Sequence, residues 1–505
     1  MHDLYHELIS LAESDNYPFH MPGHKRNTMS TPFEGAFRCD ITEIDGFDNL
    51  HDESGLILDA EKRANSLYGA KETFFLVNGS TCGVLSAVSA AVPMGGTILA
   101  ARGSHKALYH AAYIRNLDIK YLPYKINSKF EIPEAYTAED IRPYLSKDIA
   151  AVFITSPTYE GKSSDIAEIS KLCHENNIPL IVDAAHGAHF GFGNTNNTDK
   201  KEKSSTDYTF VPESAVTQGA DIVIHSVHKT LPSMTQTALI HINGELIDGA
   251  LVKRYLRIYQ SSSPSYILMA SIEQCMEEMD KNGAEYIDKL LSFRNHIAEE
   301  TRELKKIYIP GKSEIDDPCK VLITDVSGTM TGQQIYDILR EEYALQLEMA
   351  GQKIALAIIT GSDRLEGIKR LTEALKAIDS KIETIKESEK SVASSSFDHN
   401  KEEKETLYRD IPRKELSLTN AWNSECELVA IEEAQGRCSG EFINLYPPGI
   451  PIIVPGEVFS KEIIDEIKSC QKKGLNLQGC LYNKDDKGNN YIRNITSDYL
   501  INFLK

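Results

Sequence analysis

The stretch Asp221-Ile222-Val223-Ile224-His225-Ser226-Val227-His228-Lys229-Thr230 starts with an apolar run and ends with hydroxyl, imidazole and ammonium side chains. The run from Ile222 to Ile224 is typical of a strand that is buried on both faces of a sheet. A lysine at the end of such a strand is desolvated, which lowers its pKa and favours the neutral, nucleophilic amine. Lys229 is therefore a candidate to bind an aldehyde cofactor covalently, although a strand-end lysine that only reaches solvent fits the same pattern.

An acidic residue ends a second predicted strand, Pro179-Leu180-Ile181-Val182-Asp183-Ala184-Ala185-His186, and this acid lies 46 residues before Lys229. Pyridoxal phosphate needs both groups, because the lysine binds the aldehyde and the acid keeps the pyridinium nitrogen charged. Both strands would end at the carboxyl edge of one parallel sheet, where open α/β folds bind ligands. The two segments together predict a pyridoxal-phosphate site that contains Lys229 and Asp183.

Composition is that of an ordinary soluble protein. The 505 residues suggest two or three domains, and 41% of them are hydrophobic and 25% charged. The formal net charge of −20 argues against nucleic acid and anionic membranes as partners, and it is compatible with a cationic substrate.

Targeting and redox features favour a cytoplasmic location. No apolar run of about 18 residues predicts a membrane helix, and the N-terminus lacks the basic and apolar segments of a signal peptide. The nine cysteines are scattered without a Cys-x-x-Cys pair. We therefore expect reduced thiols, with neither a disulfide framework nor a zinc site.

From Gly55 onward, predicted helices and strands alternate with short connections, which indicates a parallel sheet with right-handed crossovers. The turn Asn78-Gly79-Ser80-Thr81-Cys82-Gly83 follows one strand and leads into a helix. Free N–H groups and the helix dipole favour a phosphate there, and Ser80 and Thr81 add hydroxyl donors, but such a turn also serves as a plain N-cap. His105 stands at the start of the predicted helix 107–115, and this position alone does not indicate a function for it.

Changes of composition divide the chain into five parts. We expect an N-terminal segment, a large cofactor-binding domain, a small α/β domain, a charged flexible linker and a C-terminal domain, at residues 1–55, 56–265, 266–380, 381–410 and 411–505. The linker is predicted because Glu, Lys and Ser dominate it without an apolar period. Residues 191–210 are rich in glycine and asparagine and are predicted to form a loop over the sheet edge.

Two segments resemble the signature sequences of the bacterial ornithine/lysine/arginine decarboxylases. They are Ser226-Val227-His228-Lys229-Thr230 and Val182-Asp183-Ala184-Ala185-His186-Gly187-Ala188-His189. The likeness runs from about His20 into the C-terminal part, and the chain is most similar to the shorter biosynthetic branch, usually labelled arginine decarboxylase. It implies a fold-type I pyridoxal-phosphate enzyme, with an α/β, aspartate aminotransferase-like large domain, a mainly parallel sheet and smaller C-terminal α/β domains.

The resemblance also implies roles for individual residues. The catalytic residues would be Lys229, Asp183, His105 and His228. His105 would stack on the pyridine ring, and either Lys229 or His228 would return the proton to Cα. The residues that would contact pyridoxal 5'-phosphate are Ser80, Thr81, His105, Asp183, Ala185, His186, Ser226, His228, Lys229 and Ser262. Of these, Ser262 would reach the cofactor of the other subunit, which implies a homodimer or higher homo-oligomer with shared active sites.

The segment Asp40-Ile41-Thr42-Glu43-Ile44-Asp45-Gly46-Phe47-Asp48-Asn49-Leu50-His51-Asp52 contains five carboxylates and permits two interpretations. It is either a solvated loop or an acidic mouth that recognises a guanidinium or ammonium group. The resemblance would place residues 1–55 near the mouth of the active site and the dimer interface.

Near the other end of the chain, Tyr446-Pro447-Pro448-Gly449-Ile450-Pro451-Ile452-Ile453-Val454-Pro455-Gly456-Glu457 resembles the C-terminal signature of the same family. This C-terminal segment predicts a rigid turn followed by an apolar strand, and we infer no catalytic role from it.

Four functions compete for this sequence. The first is decarboxylation of a basic amino acid, L-arginine to agmatine and CO2 in polyamine biosynthesis, with lysine or ornithine as alternative substrates. The second is an aminotransferase or lyase with the same cofactor, although no arginine matches a carboxylate-binding motif of aminotransferases. The third is a metal hydrolase built on the pairs His186/His189 and His225/His228, which do not lie on one helix face, so no metal is expected. The fourth, a non-catalytic scaffold, is disfavoured by the presence of both the acid and the lysine.

Overall fold

A computed structural model describes residues 3–27, 33–193, 207–389, 406–447, 449–472, 474–479 and 491–495. In this part of the chain the α-helices are α1 Leu4–Glu13, α2 Glu34–Cys39, α3 Leu56–Tyr68, α4 Gly79–Ala91, α5 Lys106–Arg115, α6 Ala138–Ile141, α7 Ile166–Glu175, α8 Val227–Thr230, α9 Gly249–Tyr259, α10 Tyr266–Thr301, α11 Gly332–Tyr343, α12 Leu365–Glu389, α13 Leu418–Trp422 and α14 Lys461–Lys472. Two 3-10 helices span Arg142–Tyr144 and Ile431–Glu433.

The strands of the described residues are numbered separately, also in chain order. They are β1 Glu72–Leu76, β2 Thr97–Ala101, β3 Asp118–Leu122, β4 Tyr124–Asn127, β5 Ile132–Pro133, β6 Ile149–Thr155, β7 Leu180–Asp183, β8 Ile222–His225, β9 Ala238–Ile242, β10 Ile307–Tyr308, β11 Lys320–Asp325, β12 Met349–Ala350, β13 Ile354–Ile358, β14 Thr406–Arg409, β15 Cys426–Ala430, β16 Ile443–Leu445, β17 Ile450–Ile453, β18 Leu477–Gln478 and β19 Tyr491–Ile495.

The central sheet of the described chain has seven strands in the order β1-β9-β8-β7-β6-β2-β3. Strand β9 runs antiparallel to β1 and β8, and the other pairs are parallel, so the expected mainly parallel sheet is confirmed. Successive residues of β2 point to opposite faces: Ile98 packs with α4, α5 and α9, whereas Leu99 packs with α7. Helices therefore cover both faces, which explains the unbroken apolar runs in these strands.

The chain immediately before Lys229 differs in one detail from the predicted strand end. Strand β8 stops at His225, and Lys229 lies in the single-turn helix α8 rather than at the strand terminus. In the parallel pairing of β7 with β8, Asp183 is opposite Ile224, so the two carboxyl ends are adjacent. This register brings the acid and the lysine to the same edge of the sheet.

A second, antiparallel sheet, β10-β11-β13-β12, forms the core of the small domain with α11 and α12. The sequence from Ile267 to Met279 predicts a helix, and helix α10 is much longer, from Tyr266 to Thr301. The alternating sequence from Leu345 to Met349 predicts a strand. This prediction is mostly wrong, because α11 ends in a left-handed turn at Ala344 and the strand begins only at Met349.

The predicted linker, 381–410, is corrected at both ends. Helix α12 continues to Glu389, and residues 406–409 form β14, which pairs with β4 of the large domain. Residues 390–405 lie outside the described residues, as do residues 194–206 of the predicted loop at 191–210. Further along, β16–β19 and α14 build a separate apolar core around Ile453, Phe459 and Ile467.

Candidate active site

A cavity of about 410 Å³ opens at the carboxyl edge of the central sheet. Ala101, Thr155 and Asp183, at the ends of β2, β6 and β7, line it together with Ser226, which follows β8. Nine of the ten residues predicted to contact the cofactor line this cavity: Ser80, Thr81, His105, Asp183, Ala185, His186, Ser226, His228 and Lys229. Ser262 does not line it and is exposed to solvent in the single chain.

Lys229 and Asp183 both line the cavity, and each changes the pKa of the other through its charge. Burial of the ammonium lowers the pKa of Lys229 to about 8, although the carboxylate of Asp183 acts in the opposite direction. Burial raises the pKa of Asp183, and the charge of Lys229 opposes that rise. Asp183 accepts a hydrogen bond from the N–H of Ala185 at 3.2 Å, which fixes the carboxylate at the end of β7. At neutral pH the neutral, nucleophilic fraction of Lys229 is therefore far larger than that of an exposed lysine.

The first turn of α4 forms the hydroxyl-rich end of the cavity. Ser226 donates a hydrogen bond from Oγ to Oγ of Ser80 at 2.8 Å, which joins α4 to the chain just before Lys229. The N-terminus of this helix carries the positive end of the helix dipole and is a favourable place for a phosphate. His228 directs Nδ1 to the carbonyl oxygen of Thr237 at 2.8 Å, and burial lowers the pKa of its imidazole.

His105 is the N-cap of α5, and its Nδ1 accepts a hydrogen bond from the N–H of Ala107 at 3.2 Å. Burial lowers the pKa of His105 to about 3, so the ring is neutral at physiological pH. The C-terminal signature lies directly behind it: a Cβ added to Gly449 would be 3.3 Å from Cδ2 and Nε2 of His105. Tyr446 and Ile450, from the same turn, line the cavity. The sequence resemblance identified this turn but gave no indication that it contacts His105.

Four further residues of the site were not predicted from sequence. Lys320, at the start of β11, lies 2.7 Å from Nδ1 of His186, whose Nε2 lies 3.1 Å from Nζ of Lys229. The ring of Tyr159 packs edge-on against His186 at 4.4 Å between centroids, and its hydroxyl donates a hydrogen bond to Glu348. Lys320 and Glu348 belong to the small domain, so spacing within the large domain could not reveal them. The sequence feature that could have identified Lys320 is its position at the start of the apolar run 320–324.

Glu160 is the fourth of these residues. Its side chain is buried in the wall of the cavity, and its Oε2 has no hydrogen-bond partner among the described residues. Burial raises its pKa to about 7. A buried carboxyl with an unused oxygen is a ready acceptor for a cationic group.

The acidic segment 40–52 does not contribute to the cavity of its own chain. Asp48 instead accepts hydrogen bonds from the backbone N–H groups of Asn49, Ser54, Gly55 and Ile57, at 2.9 to 3.0 Å. These contacts hold the pKa of Asp48 below its usual value despite burial. A role of this segment as a substrate mouth would thus require a second subunit.

The histidine pairs considered as metal ligands are separated by their contacts. His186 faces two lysines, and His225 lies 3.1 Å from His241. A different group comes closest to a ligand set among the described residues: potential ligand atoms of His189, Asp317 and Cys319 all lie within 4.8 Å of one another. Nε2 of His189 is already 2.9 Å from Asp317, which reads as a hydrogen bond between the two domains. The expectation that no metal is bound stays a prediction.

Residues 2–345 match the family described as Orn/Lys/Arg decarboxylase, major domain, and residues 401–497 match its C-terminal domain. The chain belongs to the Orn/Lys/Arg decarboxylase family. The arginine decarboxylase of Bacillus subtilis (strain 168) is 28% identical over 94% of this chain and 95% of its own length. The constitutive lysine decarboxylase of Escherichia coli (strain K12) is 23% identical over 90% of this chain and 75% of its own length.

Solved structures extend the same comparison to the fold. The Francisella novicida lysine decarboxylase LdcF superposes with a TM-score of 0.77 at 18% identity, over 98% of this chain and 81% of that protein. The family and the fold class inferred from the sequence are thereby confirmed, and the chain is a decarboxylase of basic amino acids. None of the helices among the described residues has the length and apolar character needed to cross a bilayer.

Proposed function

We propose that this decarboxylase uses pyridoxal phosphate to convert L-arginine into agmatine and CO2. The observation that carries the proposal is the meeting of Lys229 and Asp183 in one cavity of an Orn/Lys/Arg decarboxylase. The greater identity to the relative named arginine decarboxylase than to the one named lysine decarboxylase supports arginine as the substrate. Lysine and ornithine are the alternative substrates. Such a reaction belongs to polyamine biosynthesis in the cytoplasm.

The residues around the cavity fit pyridoxal phosphate in both chemistry and space. The volume of the cavity, about 410 Å³, lies in the usual range for small-molecule sites. The residues predicted to contact the cofactor would hold it. Hydroxyl groups at the N-terminus of α4 would bind the phosphate, His105 would lie against the face of the ring, and His186 would contact the ring oxygen. When bound, the cofactor supplies a protonated ring that accepts the electron pair left by the departing CO2. Asp183 keeps the ring nitrogen charged.

Proton return to Cα is assigned to Lys229 rather than His228. Nδ1 of His228 faces the carbonyl oxygen of Thr237, so in the neutral imidazole the hydrogen is on Nδ1 and Nε2 has none to donate. Burial lowers the pKa of His228, which keeps the ring neutral. With a pKa of about 8, Lys229 is largely protonated at pH 7 and can donate.

Glu160 and Glu348 are proposed to receive the distal cation of the substrate. Both line the cavity, and Oε2 of Glu160 is free to accept a hydrogen bond. A guanidinium offers several N–H donors in one plane and can engage more than one carboxylate oxygen, whereas an ammonium is a point charge. The acidic segment 40–52 of a second subunit is the competing partner for this group.

We further propose a homodimer with shared active sites and retain the five-part domain division, with the linker ends revised as above. Ser262 is exposed and outside the cavity of its own chain, which supports a contact with the partner's cofactor. Tyr17, Phe19 and Phe33 in the N-terminal segment are 72%, 89% and 68% exposed. Large exposed side chains of this kind are typical of a surface that is covered by another subunit.

Product analysis tests the proposed activity. Purified protein is incubated with pyridoxal phosphate and, separately, with arginine, lysine or ornithine, and the amine and CO2 formed are quantified. We expect agmatine from arginine with a kcat/KM that exceeds the values for the other two amino acids by at least about 100-fold, which corresponds to about 2.7 kcal/mol. Formation of only cadaverine or putrescine would overturn the substrate assignment, and absence of CO2 from all three would overturn the activity.

A further inference from the structure

A lysine of the small domain is buried directly behind the active site. Lys320 has no solvent-exposed surface, and its Nζ lies 2.7 Å from Nδ1 of His186. It does not line the active-site cavity, and its hydrogen-bonding contact with a cavity residue is the one with His186. The other nitrogen of that ring, Nε2, lies 3.1 Å from Nζ of Lys229. One imidazole thus separates two lysine side chains that come from different domains.

The large domain is shaped to admit Lys320. Gly161 has a φ of +99°, and a Cβ at this position would lie 2.7 Å from Cγ of Lys320 and 3.1 Å from Cβ of Asp317. The carbonyl oxygen of Gly161 accepts hydrogen bonds from the N–H groups of Asp316 and Asp317, at 3.0 and 3.1 Å. Only a glycine fits both the backbone conformation and this close approach. The absence of a side chain at Gly161 therefore leaves the space that the stem of Lys320 occupies.

The number of hydrogens that each side chain carries restricts where the protons can lie along the four nitrogens of Lys320, His186 and Lys229. A neutral imidazole has one N–H and one acceptor nitrogen, whereas a lysine ammonium has only donors. If Lys320 is charged, it donates to Nδ1, and the single hydrogen of His186 is on Nε2, facing Lys229. If Lys229 is charged instead, the hydrogen of His186 moves to Nδ1, and Lys320 must be neutral. Burial disfavours a doubly protonated ring.

The surrounding charges favour the first arrangement. Lys320 interacts with the carboxylates of Asp317 and Glu160, and Asp317 is held in place by His189 at 2.9 Å. Around Lys229 and His186 stand the carboxylates of Asp183 and Glu348, the neutral ring of His105 and the ring of Tyr159. Burial lowers the pKa of Lys229 to about 8, and the charge of Lys320 acts in the same direction, so loss of the proton from Lys229 is favoured.

We propose that Lys320 is a positioning residue, which holds His186 as the Nε2–H tautomer and directs that N–H at Nζ of Lys229 and at the ring oxygen of the cofactor. The cofactor part rests on the proposed function, whereas the tautomer and the effect on Lys229 do not. Because Lys320 is on β11, the small domain controls the protonation of an active-site residue in the large domain.

The first test reads the tautomer directly in the full-length, cofactor-free protein labelled with 15N-histidine. The His186 signals are assigned by comparison with His186→Gln, and the one-bond N–H correlation identifies the nitrogen that carries the hydrogen. We expect the Nε2–H form. The spectra are recorded at pH 9, above the pKa of about 8 of Lys229, and the Nδ1–H form or a histidinium under these conditions would overturn the proposal. This measurement does not depend on the folding of any Lys320 variant.

The second test measures Lys229 without using activity. The rate of reductive methylation of each lysine by formaldehyde and cyanoborohydride is followed by mass spectrometry from pH 6 to pH 10. In Lys320→Met, which keeps the stem and removes the charge, the labelling midpoint of Lys229 should move upward by about one pH unit, because a nearby like charge is lost. Lys320→Arg, which keeps the charge, should restore the wild-type midpoint. An unchanged midpoint in a folded Lys320→Met protein would overturn the proposal.

Lys353 provides a matched control. It also belongs to the small domain and crosses to the large domain, where it lies 3.2 Å from Glu131, but its side chain is 35% exposed and outside the active-site cavity. Lys353→Met should leave the midpoint of Lys229 unchanged. If the midpoint moves as expected but no amino acid is decarboxylated, the proposed function fails and the positioning role stands. If arginine is decarboxylated and the midpoint does not move, only the positioning role fails.

Discussion

Lys229 acquires its reactivity from its surroundings. An exposed lysine has a pKa near 10.4, whereas burial lowers the pKa of Lys229 to about 8. The lysine and Asp183 were both predicted because each follows an apolar run that ends at the same edge of the sheet. Glu160 was not predicted, because a glutamate in a loop has no sequence pattern that distinguishes a buried carboxyl from a solvated one.

The lowered pKa of Lys229 predicts how cofactor capture depends on pH. The neutral amine is the reactive form, and its fraction grows as the pH rises through about 8. The rate at which cofactor-free protein captures pyridoxal phosphate should therefore rise about tenfold from pH 7 to pH 9 and then level off. Stopped-flow absorbance provides the rates, and Lys229→Ala provides the background. A rate that keeps climbing through pH 10 would indicate an ordinary lysine.

Replacement of Asp183 by Asn removes the charge and preserves the shape of the side chain. Loss of a carboxylate beside a pyridinium nitrogen lowers the pKa of that nitrogen by about 1 to 3, so turnover of arginine should fall about 10- to 1,000-fold. The kcat of the purified variant is measured at saturating cofactor, with circular dichroism to verify folding. Asp148→Asn, at an exposed ion pair with Lys120, is the control and should keep wild-type turnover.

At the scale of elements, the site is assembled at the ends of β2, β6, β7 and β8 and at the start of α4 and α5. Alternation of apolar runs and helical periods was sufficient to predict these elements within a few residues. The prediction failed for the strand over 345–349, where a left-handed C-cap at Ala344 delays the strand. It also missed the contact between the C-terminal turn and His105, which depends on a close approach of distant segments.

That contact predicts a strong effect of Gly449→Ala. The residue has a φ of +83°, and the new Cβ would press on the His105 ring at 3.3 Å. We expect displacement of the ring and a Kd for pyridoxal phosphate that increases about tenfold, measured by fluorescence titration; the loss of one ring contact is about 1.4 kcal/mol. Gly436→Ala is the matched control, because its φ is +80° and nothing lies within 4 Å of the added Cβ. An equal increase of the Kd in both variants would show that backbone strain alone causes the effect.

At the scale of the whole molecule, three parts of the chain meet at one cavity. The large domain provides Lys229 and Asp183, the small domain provides Glu348 and, behind His186, Lys320, and the C-terminal part provides the turn behind His105. Arg102 and Glu457, both buried and 2.9 Å apart, join the C-terminal part to the large domain next to that turn. Sequence composition marked the parts, but it could not reveal which of their surfaces meet.

Shared active sites predict complementation between two inactive chains. Ser262→Glu should repel the phosphate in the partner's site, and Lys229→Ala removes the lysine in its own site. When the two variants are co-expressed, about half of the dimers are mixed, and each mixed dimer contains one intact site, so about a quarter of the wild-type activity should return. The activity is measured with arginine after tandem-tag purification. Activity no higher than that of Ser262→Glu alone would place Ser262 outside the partner's site.

The most direct test of the whole account is to locate the point of covalent attachment of the cofactor. Wild-type protein is loaded with pyridoxal phosphate, reduced with borohydride, digested and analysed by mass spectrometry, in parallel with Lys229→Ala and the surface control Lys120→Ala. We expect the cofactor mass on the peptide containing Lys229 in the wild type and in the control, and its loss in Lys229→Ala. A label on another lysine, or an undiminished label in Lys229→Ala, would contradict the account.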